Sequence, residues 1–186
     1  MPMHATHIRR IAVFCGSSKG SDQAIMKACE VLAGKLCAHR IGLVYGGGNI
    51  GLMGVLADEM LNRGGEVIGV IPQKLVDIEL AHSGLSQLYI VPGMHERKAK
   101  MASLSDAFVV LPGGIGTMEE FFEMYTWLQL GYHHKPVAML NVSGFYDNLI
   151  GLLNHMVKEG FFEQERFAQL IVHGDPSALV DQILKQ

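Results

Sequence analysis

Cysteine is scarce in this chain, with three residues among 186, and their placement excludes a disulfide framework. Cys15 stands alone, while Cys29 and Cys37 fall about two turns apart on one expected helix, too far to bridge. No CxxC pair occurs and the count is odd, so free thiols in a reducing compartment are expected. Long apolar runs are lacking as well. Although 49% of the residues are hydrophobic, none of the runs reaches the ~18–20 residues of a membrane span. The stretch from Met1 to Arg10 has two His and two Arg but no apolar core or small-residue cleavage site, so no secretory signal is expected. Residues 1–9 read as a short polar arm, residues 10–186 as a single domain, and the cytoplasm as its place. Charge of one sign is also missing. The net charge is −3 with no Lys/Arg run, which argues against a nucleic-acid partner, and no membrane partner is expected.

What is present is a regular alternation. Short apolar runs at Ile11 to Cys15, Leu43 to Tyr45, Glu66 to Ile71, Leu88 to Val91, Ala107 to Leu111, Val137 to Asn141 and Phe167 to Val172 read as strands. Helical periodicity fills the intervals Asp22 to His39, Gly51 to Arg63, Met94 to Ser105, Thr117 to Leu130, Phe145 to Glu159 and Pro176 to Lys185, with an irregular stretch from Pro72 to Ser86. This rhythm predicts an α/β fold, a Rossmann-like doubly wound parallel sheet in a single domain. Ligands of such sheets bind at the carboxyl ends of the strands. Three strands run into small-residue loops there: Cys15-Gly16-Ser17-Ser18, Gly46-Gly47-Gly48, and Pro112 to Thr117. All three are expected to face one crevice.

Gly46, Gly48 and Gly51 satisfy G-x-G-x-x-G between a strand and a helix. A dinucleotide site also needs an acidic residue at the end of the next strand. Glu66 has roughly the right spacing but stands at that strand's start, which disfavours NAD. A tight turn with close helix packing, or a phosphate or ribose contact by Ser17, Gly46, Gly47 and Gly48, remains. The run Pro112 to Glu120 (PGGIGTMEE) is more specific. Its glycines admit an anion close to the backbone, and Thr117 is expected to cap the helix it opens, whose free N–H groups and dipole suit a phosphate. Neither loop has the Lys-Ser/Thr of a Walker A motif, which disfavours ATP hydrolysis.

Two charged residues fall on apolar stripes. Arg97 shares a helix face with Met94, Met101 and Leu104, so it needs an anionic partner or a solvated cleft; a snorkelling arginine in a structural ion pair is the plain alternative. The helix from Thr117 carries one stripe at Met118, Phe121, Phe122, Tyr125 and Leu128 and a second patch at Met124 and Trp127. Glu120 lies with that second patch in the first turn, where burial can tune a carboxyl group and the helix N-terminus favours its charge. The second patch is expected at a subunit contact. His133-His134 reads as a solvated loop without a third metal ligand, so no metal and no cofactor are expected.

Met94-His95-Glu96-Arg97-Lys98 followed by Pro112-Gly113-Gly114-Ile115-Gly116-Thr117-Met118-Glu119-Glu120 resembles the paired signature of the LOG family, the cytokinin riboside 5′-monophosphate phosphoribohydrolases, many of them once labelled lysine decarboxylases. The resemblance extends from Val13-Phe14-Cys15-Gly16-Ser17-Ser18 through Tyr45 to Phe145-Tyr146. It implies a homodimer that cleaves the N-glycosidic bond of nucleoside 5′-monophosphates, cytokinin nucleotides or AMP, to free base and ribose 5-phosphate. It further implies that Arg97 and Glu120 are the catalytic pair and that Glu79, Lys98, Gly114, Ile115, Gly116, Thr117, Met118, Glu119 and Thr126 contact the substrate. A non-catalytic nucleotide sensor or carrier on the same fold is the alternative; it would keep the glycine loops without needing both Arg97 and Glu120.

Overall fold

The computed structural model describes residues 8–76, 78 and 81–186. Seven strands form one parallel sheet: β1 (Arg10–Phe14), β2 (Gly42–Tyr45), β3 (Val67–Pro72), β4 (Gln87–Val91), β5 (Ala107–Val110), β6 (Val137–Leu140) and β7 (Leu170–His173). Their order is β4-β3-β2-β1-β5-β6-β7. The chain winds outward from β1 to one edge, returns, and winds to the other, so the switch point lies between β1 and β5. Ile11 registers with Leu43 on one side and Ala107 on the other.

The helices are α1 (Gln23–Ala38), α2 (Gly51–Asn62), α3 (Met94–Leu104), α4 (Ile115–Gln129), α5 (Asp147–Lys158), α6 (Gln164–Phe167) and α7 (Pro176–Ile183). Strand pleating divides the core in two. Ile11 and Val13 face a layer built with Leu32, Leu36, Leu56 and Leu179, from α1, α2 and α7. Ala12 and Phe14 face the other, with Met101, Phe121, Tyr125 and Leu153, from α3, α4 and α5. Side-chain caps set two helix starts: Asp22 accepts from the Ala24 N–H and Asp175 from the Ala178 N–H, each at 2.8 Å. Among the described residues no helix is long and apolar enough to cross a membrane.

The parallel doubly wound sheet is as expected, but several local readings change. The helix expected from Thr117 begins at Ile115, with Gly114 as its extended N-cap and no side-chain cap. Thr117 is therefore a buried first-turn residue. Met124 is fully buried against the sheet and Trp127 half-buried on the same core, so this patch needs no partner to cover it. The apolar residues that α4 and its end leave exposed are instead Ile115, Phe122 and Leu130. Of the pair expected in a solvated loop, His134 is exposed but His133 is half-buried: it packs on Phe108 at 5.1 Å between ring centroids, and its Nε2 lies 3.0 Å from the Met124 carbonyl. The strand expected from Phe167 starts at Leu170, because α6 takes up Phe167. Of the expected N-terminal arm, residues 1–7 lie outside the described residues. Ile8 packs into the core and the Arg9 N–H donates to Asp106 at 2.8 Å, so these two residues belong with the domain rather than with an arm.

Candidate active site

The carboxyl ends of β1, β2 and β5 are tied together by their backbones. The Gly16 N–H donates to the Pro112 carbonyl at 3.2 Å, and the Gly16 carbonyl accepts from the Leu52 N–H at 3.1 Å. This stitching demands glycine. At Gly51, where φ is +64°, a Cβ would run into the Ser17 backbone, and at Gly113 it would overlap the Thr117 side chain. Above the stitched ends lies a cavity of about 260 Å³. Gly16 and Ser17 form one wall, Gly46 another, and Gly114 to Thr117 a third, so the three glycine loops do meet at one crevice.

Among the described residues on that wall, Arg97 is the only cation and Glu120 the only carboxylate. Both are buried, at 5% and 8% exposure. Arg97 reaches the cavity from α3 and is anchored by carbonyls at the ends of two strands. Its Nε donates to Val70 at 3.1 Å and its Nη2 to Gly46 at 2.8 Å, which offsets part of the cost of burying a guanidinium. A Cβ at Gly46 would overlap that guanidinium, so the second glycine loop serves Arg97 directly. Glu120 reaches the same cavity from the first turn of α4. Cys15, just after β1, is buried and lines the same cavity. Burial pushes its thiol well above the ordinary range, Cys29 and the Glu120 charge add to the push, and Arg97 opposes it.

The start of α4 presents open backbone. Met118 is the first residue whose N–H bonds within the helix, to Gly114 at 3.1 Å. The N–H groups of Ile115, Gly116 and Thr117 precede it and have no intrahelical acceptor. Gly114 and Gly116 are exposed, with no atom within 4 Å of where a Cβ would sit.

The remaining expected contacts are spread elsewhere. Gly47 and Gly48 lie behind Gly46 rather than on the wall; Gly47, at φ +80°, is wedged against Ile71 and Leu88. Lys98 is buried off the cavity, where its ammonium pairs with Glu119 and, at 2.8 Å, with Glu123. Burial pulls its pKa down, but the hydrogen bonds to Glu119 and Glu123 outweigh this and hold it above its ordinary value. Met118 is half-buried against the core, and Thr126 stands on the exposed face of α4; neither lines the cavity. Glu79 lies outside the described residues. Sequence reasoning missed Met53 and Leu75 as wall residues. The only signal at Met53 was apolar periodicity, which does not tell a cavity wall from a core, and Leu75 stands in the irregular stretch, where there was no pattern to read.

Comparison with known proteins adds relatives to this geometry. Residues 53–183 match the family model described as "Possible lysine decarboxylase". A cytokinin riboside 5′-monophosphate phosphoribohydrolase of Arabidopsis thaliana is 45% identical over 176 residues, covering 95% of this chain and 81% of the relative. The LOG protein of Oryza sativa subsp. japonica, of the same description, is 46% identical over 173 residues, 93% of this chain and 71% of that one. Among solved structures, a molybdenum cofactor binding protein from Rippkaea orientalis superposes with a TM-score of 0.70 at 18% identity, covering 95% of each chain. The molybdenum cofactor carrier protein of Chlamydomonas reinhardtii gives 0.68 at 19%, covering 95% of this chain and 98% of that one. These two likenesses establish the shared fold. The high identity over nearly the whole chain establishes more: this protein belongs to the LOG family.

Proposed function

We propose that this protein is a phosphoribohydrolase that cleaves nucleoside 5′-monophosphates, cytokinin riboside 5′-monophosphate and AMP, to free base and ribose 5-phosphate. The observation that carries the reading is the pairing of one buried guanidinium with one buried carboxylate on a cavity whose wall includes an uncapped helix start. The activity named for relatives near 45% identity supports it.

In this reaction the C1′–N bond breaks, its electron pair leaves with the base nitrogen, water adds to C1′, and the water's proton ends on the base. Positive charge builds on the ribose ring as the bond stretches. Glu120 counters that charge, takes the proton of the attacking water and hands it on to the departing base nitrogen. Arg97, held by the Gly46 and Val70 carbonyls, keeps its charge at the same wall and orients the carboxylate and the departing base. The N–H groups from Ile115 to Thr117 receive the 5′-phosphate. Ser17 and Gly46 are further phosphate or ribose contacts. Lys98 and Glu119 act one step removed, by fixing α3 against α4.

A lysine decarboxylase fits less well. A Schiff-base lysine needs a neutral amine, whereas the carboxylates hold Lys98 protonated and no lysine among the described residues lines this cavity. We further propose that the enzyme is a homodimer working in the cytoplasm. The direct test is chromatography of reactions with a panel of nucleotides. Free base and ribose 5-phosphate are expected; nucleotide binding without release of base would favour a carrier.

A further inference from the structure

Between β3 and β4, Leu75 reaches the cavity wall, and the turn at residues 81–84 lies against the turn that joins β2 to α2. There Ala81 forms an antiparallel bridge with Gly48, and the His82 N–H donates to the Gly47 carbonyl at 3.0 Å. His82 is 9% exposed, and both nitrogens of its ring are engaged. Nδ1 accepts from the Gly84 N–H at 3.0 Å, and Nε2 lies 3.0 Å from the Asp58 carboxylate on α2. Because Nδ1 accepts a backbone N–H, the neutral ring must carry its proton on Nε2 and donate it to Asp58. Gly47 and Gly48 directly follow Gly46, whose carbonyl receives Arg97.

We infer that His82 is a positioning residue: its ring locks the 81–84 turn onto Gly47 and Gly48, and so fixes the Gly46 carbonyl that anchors Arg97. The inference rests on the nucleotide-cleaving reading of the cavity. The Asp58 side chain is 60% exposed, so that pair contributes little. The edge of the ring facing the backbone carries the role.

The two ring edges can be separated. His82→Asn places an acceptor where Nδ1 was and loses the reach to Asp58. His82→Gln keeps a donor near Nε2 and loses the acceptor for Gly84. With AMP as substrate, His82→Gln is expected to lose at least about tenfold in kcat, with a smaller change in KM, because a small misplacement of a catalytic group is costly. His82→Asn and Asp58→Asn are expected to stay within about threefold of wild type. Hydrogen exchange should find the Gly84 amide protected in wild type and His82→Asn but not in His82→Gln. In NMR spectra the Arg97 Nε–H signal should shift in His82→Gln alone, and the wild-type ring should show its proton on Nε2. A folded His82→Gln with wild-type turnover and an unmoved Arg97 signal overturns the inference. So does His82→Asn failing as badly as His82→Gln, or a wild-type ring protonated on Nδ1. Should wild type release no base from any nucleotide, the cleavage reading fails on its own, while the Arg97 signal and the tautomer still decide the positioning role. Should His82→Gln not fold, His82→Asn and the wild-type tautomer decide it.

Discussion

Arg97 and Glu120 each have a burial cost that packing alone does not repay, which is why their replacement should cost activity more than fold. Removing a charge-stabilising or proton-transferring group typically costs ~10² or more in rate. Glu120→Gln and Arg97→Ala are each expected to lose at least that in kcat, with circular dichroism unchanged. Arg97→Lys should fare little better than alanine, since one ammonium cannot serve the Gly46 and Val70 carbonyls in the guanidinium's planar fork. Wild-type turnover in any of the three would remove that residue from the mechanism. The cysteines give a second test at this scale. Burial, reinforced by the Glu30 charge, raises Cys29 from 9.0 to about 12, and burial raises Cys15 as well. Raised thiol pKa values mean that the folded state holds these protons more tightly than the unfolded chain does. Their contribution to stability is therefore complete below the unfolded value and is lost as pH rises through the folded ones, so stability should fall from about pH 9 upward. In native protein near pH 8, Cys37, the half-buried thiol, should react first with a disulfide reagent, with Cys15 and Cys29 following only on unfolding. Fast modification of Cys15 would mean that the cavity floor opens.

At the level of elements, the start of α4 should make the enzyme depend on phosphate. Backbone N–H groups at a helix N-terminus give much to an anion and little to a bare hydroxyl. AMP should therefore be cleaved far better than adenosine, with kcat as well as KM affected, because phosphate binding holds the glycosidic bond in place for the chemistry. Equal cleavage of the two would refute the phosphate site. Gly113→Ala probes the same loop, since its Cβ would overlap Thr117 and push the helix start away. The α3–α4 clamp gives a stability counterpart: Glu123→Gln removes the charge paired with the buried Lys98 ammonium and should cost about 1.5–3 kcal/mol, the range for a polar contact to a charged group, read as a lower denaturant midpoint. This scale also shows what the residue order could reveal. Continuous apolar runs marked every strand, and the glycine loops marked the crevice, because parallel strands buried on both faces and anion-binding turns each leave a local pattern. The stripe that carried Arg97 was legible for the same reason. The cap at Gly114 was not, because a glycine N-cap leaves no side-chain signal and Thr117 offered a stronger one. The burial of Lys98 was not legible either: its partners Glu119 and Glu123 sit on another helix, and nothing in the local pattern of α3 announces them.

For the whole molecule, the decisive question is whether copies of the chain meet, and through which face. Periodicity along α4 gave two apolar faces, and only the sheet could say which one is inward. Met124 is completely buried and Trp127 packs on the same core, so a lysine at Trp127 would test stability rather than association. The outward face is marked by Ile115 and Phe122, two helix turns apart, and continued by the exposed Leu130. Ile115 is 87% exposed and Phe122 37%, on the helix whose first turn forms the cavity wall. A row of this kind beside a polar crevice suits a self-complementary contact around a two-fold axis, because each copy offers the same stripe to the other. A dimer mass by light scattering at micromolar concentration is the expected result. Ile115→Lys should shift that mass toward the monomer with little loss of melting temperature, because this side chain is almost wholly outside the subunit's own core, whereas the Phe122 ring also packs on buried Phe121 at 5.0 Å between centroids. A dimer that survives Phe122→Lys combined with Ile115→Lys would move the contact off α4. A monomer in the wild-type protein would mean that the row is covered by something else or simply tolerated in water. If the dimer forms through this face, the two cavities lie close to the contact, and dissociation should also lower turnover per subunit. Activity measured across a dilution series through the dissociation range would read that coupling directly.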